Sequence, residues 1–229
     1  MTEVSVRFLE GEADAGVLRR LYDTVIGPSF APEQREPFER LRRVLAADDL
    51  RGAVALAADG EPVGALFLEW FPDIRAALLC YFAVRPDLRG RGIGRELVAV
   101  AGPRWRAALE PRVVLAEAED PAIFDDAGEG DYGDGGARLR LYAGFGARRL
   151  PIPYLMPELA PGAGRLPGLL LLVIETEEPG DRLPGELVAG FLERYFARLE
   201  GDAADPADTR LPELLTTCRS IGSLPMTET

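Results

Sequence analysis

Cys80-Tyr-Phe-Ala-Val-Arg-Pro-Asp-Leu-Arg-Gly-Arg-Gly-Ile-Gly-Arg-Glu-Leu97 runs from an apolar strand through an Arg/Gly loop into a helix. Gly92 and Gly94 let the backbone approach a bulky anion closely. The amides from Gly90 to Arg95 lie at the positive end of the helix dipole, where a phosphate gains about 0.3–2 kcal/mol before any direct hydrogen bond. Arg85, Arg89, Arg91 and Arg95 add a basic patch that suits phosphates. Two other phosphate loops fail on the residues. A Walker loop needs Gly-Lys-Ser/Thr, and the chain has no Lys. A dinucleotide G-x-G-x-x-G fails because its third glycine would fall on Arg95 or Leu97.

The chain on either side sets the loop in an α/β context. Val4–Leu9 alternates like a strand, and Val17, Leu18, Leu21, Tyr22 and Val25 follow helical spacing up to Gly27-Pro28. Phe38, Leu41, Val44 and Leu45 predict a second helix. Ala53–Ala57 and Pro62–Phe71 predict a hairpin about Asp59-Gly60, and Ala76–Val84 a third antiparallel strand. The helix opening near Gly92 carries Ile93, Leu97, Val98 and Ala101 on its apolar face, and Gly102-Pro103 is expected to kink or break it. Arg112–Ala118 reads as a strand that can lie parallel to Ala76–Val84 through a right-handed crossover. Beyond an acidic loop over Asp120–Gly136, a short helix is expected around Arg138–Gly144 and a strand near Ala147–Tyr154. A Pro/Gly linker spans Pro157–Pro167, followed by the apolar strand Gly168–Thr176 and an amphipathic helix over Pro184–Glu200. Residues 201–229 read as a weakly ordered tail.

Placed after three antiparallel strands, Arg89-Gly90-Arg91-Gly92-Ile93-Gly94 resembles the R/Q-x-x-G-x-G/A motif of the GNAT superfamily, the acetyl-CoA-dependent N-acyltransferases. Val84-Arg85-Pro86 and Glu96-Leu97 match its context, and the resemblance covers roughly residues 4–155. It implies a GNAT-type α/β domain over 1–200, with core motifs at 76–146. The expected architecture is a mixed, mostly antiparallel sheet with splayed central strands, flanked by helices. By that resemblance the loop Arg89–Arg95 binds the pyrophosphate of acetyl-CoA or another acyl-CoA. Phe82, Ala83 and Val84 offer backbone groups to its pantetheine arm. Tyr142 of Tyr142-Ala-Gly-Phe-Gly146 takes the place of the family's Tyr, which protonates the departing thiolate. A phenol's reference pKa of about 10 lies above a thiol's of about 8.5, so it can donate while remaining neutral at pH 7.

The general base does not transfer so simply. Some GNAT enzymes use a Glu on the strand before the loop, and Leu78 occupies that position here. Glu69 on the neighbouring strand is one candidate; Glu117 and Glu119, which share a strand face at i, i+2 spacing, are others, and a water relay is another. From Glu117 to Gly136 there are eight acidic residues and no basic one, which favours a cationic acceptor, a primary amine on a small molecule or peptide. The turns Ile26–Phe30 and Trp70–Asp73 are the other candidate acceptor walls, with Phe30, Trp70 and Phe71 alternatively core. The C-terminal strand and helix at 168–200 either close that side or mediate a homodimer. The expected reaction is direct attack by the amine in a ternary complex, because no Ser or Cys nucleophile is placed beside a base. The alternative is a non-catalytic acyl-CoA-binding or regulatory module of the same fold.

Composition narrows the remaining classes. The net charge of −12 argues against nucleic-acid or anionic-membrane partners. All 26 basic residues are Arg, and the absence of His excludes Ser–His triads and His-based zinc sites. Cys80 and Cys218 have no metal-ligand spacing, so no metal cofactor is expected. No apolar run is long enough to span a bilayer, and no secretion signal opens the chain, so the expected compartment is the cytoplasm.

Overall fold

Alternating burial along Ser5–Leu9 (β1) and near-continuous burial along Pro62–Phe71 (β3) mark an edge strand and an inner one. The computed structural model describes residues 4–123, 132, 135–201 and 207–229. These form two compact units, one built on Met1–Trp70 and Ala77–Glu110, the other on Phe71–Ala76, Pro111–Gly128 and Asp134–Thr229. The fold is mixed α/β, with mostly antiparallel strands and flanking helices.

In the first unit, β1 pairs antiparallel with β2 (Leu50–Leu56), β2 pairs antiparallel with β3, and β4 (Ala76–Val84) follows β3 in the sheet. Helices α1 (Ala15–Leu21) and α2 (Phe38–Ala46) bury Leu18, Leu21, Leu41 and Leu45 with Phe67 and Tyr81 of the strands. Gly60 at φ 83° makes the predicted turn before β3. Helix α3 (Ile93–Leu109) packs close to the sheet because β3 carries Gly64. A Cβ there would lie 3.0 Å from Leu97 and 3.1 Å from Ile93. The expected break at Gly102-Pro103 does not occur, and α3 runs through Pro103. Proline removes one intrahelical hydrogen bond, while Ile93, Leu97, Ala101 and Trp105 form one buried stripe across it.

The second unit is built on β5 (Val113–Glu119), α4 (Gly135–Gly144), β6 (Arg148–Arg149) and β9 (Leu169–Thr176). β5 and β6 both pair antiparallel with β9. The strand expected near Ala147–Tyr154 shrinks to β6, because Pro151 and Pro153 have no N–H to give a ladder. Part of the expected linker is also ordered, since β7 (Leu155–Met156) pairs with β8 (Leu166–Pro167). Helix α5 (Gly185–Glu200) follows β10 (Arg182–Pro184) and buries Phe191, Tyr195 and Phe196.

The weakly ordered tail expected over 201–229 is corrected by the structure. Its residues form α6 (Arg210–Ile221), β11 (Ser223–Pro225) and β12 (Thr227–Glu228). β11 pairs with β10, and β12 with β6. Apolar anchors explain the order: Leu214, Cys218, Leu224 and Met226 are all buried. At Gly185 the first turn of α5 meets α6 so closely that a Cβ would lie 2.0 Å from the Cys218 carbonyl oxygen, a backbone atom that cannot turn aside. Gly185→Ala is therefore expected to cost about 1–3 kcal/mol, read as a lower melting temperature and earlier urea unfolding. Wild-type stability in that variant would contradict the close approach.

Candidate active site

Apart from half-buried Leu88, the Arg/Gly loop is exposed from Pro86 to Gly92 and then enters α3 at the buried Ile93. Gly90 at φ 75° and Gly92 at φ 85° occupy the left-handed region, where a side chain is strained even though open space surrounds both. Gly92 caps α3 with no side-chain hydrogen bond. Helix geometry leaves the first amides, those of Ile93, Gly94 and Arg95, without intrahelical acceptors. The first helical hydrogen bond runs from Glu96 N to Gly92 O at 3.1 Å. Gly94 serves a different purpose, since a Cβ there would lie 3.1 Å from the Phe82 ring of β4.

The arginines divide. Arg85 grips Asp87 at 2.7 and 3.1 Å, and its guanidinium holds the Asp87 carboxyl below the usual range. Arg89 reaches Val84 O at 3.3 Å and Ser29 Oγ at 3.4 Å, which ties the loop to the segment after α1. Arg91 bonds Asp87 O at 3.5 Å, and Arg95 is exposed. Arg85 N donates to Val63 O of β3 at 3.0 Å. Strand alternation then turns the amides of Val84 and Phe82 toward the opposite edge of β4 and that of Ala83 toward β3.

Of the acidic candidates, Glu69 is enclosed at 1% exposure, with Arg40 at 4.0 Å. Arg40 also pairs with Glu36, another buried carboxylate. Glu36 is gripped through its backbone, where Tyr22 OH donates to its carbonyl at 2.8 Å and its amide donates to Tyr81 OH at 2.9 Å. Glu119 lies against Gly135 and 4.0 Å from Arg138. Half-buried Glu117 accepts hydrogen bonds from Tyr154 OH on one oxygen and from Tyr195 OH, at 3.2 Å, on the other. Burial and the Glu117 charge raise Tyr154 well above an ordinary phenol, so it stays a protonated donor. Tyr142 is buried on α4. Phe30 and Phe71 are core, packing edge-on against Tyr81 and Phe191. Much of the acidic stretch, 124–131 and 133–134, lies outside the described residues. Sequence spacing missed Ser29, Tyr154 and Tyr195, whose partners lie tens of residues away.

Among the described residues no cluster of His, Cys, Asp and Glu could hold a metal ion, and no helix is long and apolar enough to cross a membrane. No curated protein matches the chain. Solved structures do. An acetyltransferase described as of the GNAT family, from Bacteroides thetaiotaomicron, aligns at TM-score 0.62 and 20% identity over 85% of this chain and 98% of its own. The ribosomal-protein-S18-alanine N-acetyltransferase of Escherichia coli aligns at 0.51 and 14% over 78% and 98%. A variant of the spermidine N-acetyltransferase of Vibrio cholerae aligns at 0.51 and 16% over 76% and 94%. These likenesses establish the fold. Residues 18–107, which include the whole Arg/Gly loop, match the acetyltransferase (GNAT) family model.

Proposed function

We propose that the protein transfers the acetyl group of acetyl-CoA, or the acyl group of another acyl-CoA, to a primary amine by direct attack in a ternary complex. The observation that carries this reading is the uncapped start of α3, held open by left-handed Gly92 within the matched family segment. The donors fit a pyrophosphate. Amides from Gly90 to Arg95 would hold it, with Arg89, Arg91 and Arg95 adding charge. Phe82 and Val84 would offer the outward edge of β4 to the pantetheine arm. An amide placed there can also stabilise a developing oxyanion, an interaction whose loss typically costs about 2.7–4 kcal/mol of barrier. The bound thioester supplies the acyl group.

On the acceptor side, an alkyl ammonium of pKa about 10.4 must lose a proton before it can attack. Glu69, Glu117 and Glu119 are the acidic groups proposed for that side, and the proton leaves to one of them or to water. Tyr142 gives its phenolic proton to the departing thiolate. The alanine and spermidine acetyltransferases that share the fold act on amines by their names, which supports an amine acceptor, in keeping with the acidic sequence that follows β5. Cys80 and Cys218 are both thiols, in keeping with a reducing cytoplasm. One feature favours a non-catalytic acyl-CoA-binding module, namely buried Leu78 at the position where some relatives carry a Glu. Amine-dependent release of thiol from acetyl-CoA decides between them.

Two further outcomes are expected. Gly92→Ala should cost about 1–2 kcal/mol of stability through its left-handed backbone and weaken coenzyme A binding in titration calorimetry ten-fold or more; unchanged affinity would remove the loop from the site. Tyr142→Phe should lower kcat at least ten-fold while coenzyme A binding persists, and wild-type turnover in that variant would end the acid role.

A further inference from the structure

Arg35, in the first unit, carries a donor with nothing to bind. Its Nε is sealed from solvent and has no hydrogen-bond acceptor, although the residue as a whole is half-buried. Among the described residues no carboxylate pairs with it, and the carboxylate of the next residue, Glu36, is taken by Arg40. A buried donor left unpaired is costly, and a buried guanidinium ordinarily finds an anion. The backbone that carries it is fixed. Arg35 N donates to Pro32 O at 3.3 Å, and Glu36 is held through its carbonyl by Tyr22 OH at 2.8 Å and through its amide by Tyr81 OH at 2.9 Å.

The neighbouring turn leaves room for the guanidinium. At Gly27 a Cβ would lie 3.1 Å from Arg35 Nη1. Gly27 opens the tight turn Gly27–Ser29, directly after the wider π-helical turn Tyr22–Ile26 that ends α1. Such departures from regular helix gather at functional sites. The far end of the turn meets the Arg/Gly loop, where Arg89 Nη2 reaches Ser29 Oγ at 3.4 Å. All of these residues belong to the first unit. An anion held by Arg35 therefore lies across one turn of chain from the loop proposed to bind the cofactor. The pyrophosphate has its donors in the α3 amides and in Arg89, Arg91 and Arg95, so the anion left for Arg35 belongs to the second substrate. The guanidinium edge formed by Nε–H and a terminal N–H presents two parallel donors, which match the two coplanar oxygens of a carboxylate.

We infer that Arg35 binds a carboxylate on the acceptor, so that the amine acetylated is that of an amino acid or a similar small amino carboxylate. This rests on the acetyl-transfer reading. It goes further by naming the residue that selects the acceptor and by narrowing the acceptor from any primary amine to one that also carries a carboxylate.

Thiol release from acetyl-CoA by the full chain tests it. The probes are the common amino acids, each beside its own C-terminal amide, with n-butylamine and 1,4-diaminobutane as amines that carry no carboxylate. In the wild type at least one amino acid should exceed its amide ten-fold or more in kcat/KM. Arg35→Gln should reduce that preference ten-fold or more, chiefly through KM. Because each acid is compared with its own amide in both proteins, differences in amine basicity cancel. Arg35→Lys keeps the charge without the fork and should lose the preference only in part, an order that a merely structural arginine does not produce. Coenzyme A affinity by calorimetry should stay within two-fold in both variants, with circular dichroism reporting the fold. Three results would each overturn the inference and leave the acetyl-transfer reading standing. One is a wild type that prefers no amino acid over its amide. Another is an unchanged preference in Arg35→Gln or, should that variant not fold, in Arg35→Lys. The third is a ten-fold loss of coenzyme A affinity in a folded variant, which would give the guanidinium to a cofactor phosphate. Absence of thiol release with every amine tried would instead overturn the acetyl-transfer reading.

Discussion

Burial of one stripe of α3 is the constraint on which the rest depends. Ile93, Leu97, Ala101 and Trp105 recur every four residues, and each is less than one-tenth exposed. Uncovering a large apolar side chain costs about 1.5–3 kcal/mol, so the helix cannot roll or slide cheaply. A fixed helix has a fixed first turn, and the amides of that turn point wherever the stripe dictates. Gly64 and Gly94 set the distances, the first admitting Leu97 and Ile93 to the sheet and the second accommodating Phe82. Pro103 is tolerated for the same reason, because one missing hydrogen bond weighs less than the buried face that spans it.

What could be read from the sequence follows the range of the interactions involved. The hairpin, β4 and the loop are legible because turn glycines, strand alternation and helix spacing act within about ten residues. β4 lies where its apolar run predicts, at Ala76–Val84. The loop arginines were only partly legible: Arg85 belongs to Asp87, two residues on, so the patch offered to phosphates rests on the other three. The C-terminal segment was misjudged because its polar, Pro-containing composition conceals four well-spaced apolar anchors that order it only against α5 and β10. The partners of Glu117 were beyond reach, being 37 and 78 residues away. Spacing singled out the carboxylate, but only the tertiary fold supplies its tyrosines.

The acidic balance of the chain makes the location of each arginine informative. A buried ion pair contributes little net stability, yet removing one partner costs about 3–5 kcal/mol, because the other charge is stranded. Arg40 with Glu36 and Glu69 is such a case in the first unit, and Arg165 with Glu200, at 2.6 Å and 7% and 6% side-chain exposure, in the second. These arginines are committed to holding segments together. Arg91 and Arg95 lie on the exposed surface at the mouth of α3, so the positive charge a ligand meets is concentrated there despite a net charge of −12.

The same reasoning separates the three glutamates that the sequence nominated together. Their residue type is identical, so their partners decide what each can do. An arginine beside a carboxylate cancels its charge and leaves little field for a ligand, which describes Glu69 with Arg40 and, more loosely, Glu119 with Arg138. Phenols orient a carboxylate without neutralising it. Tyr154 and Tyr195 fix the Glu117 carboxylate in place, the second from a helix that lies beyond residues 18–107. Tyr195 thus ties α5 to β5 through a carboxylate that accepts a hydroxyl hydrogen bond on each oxygen.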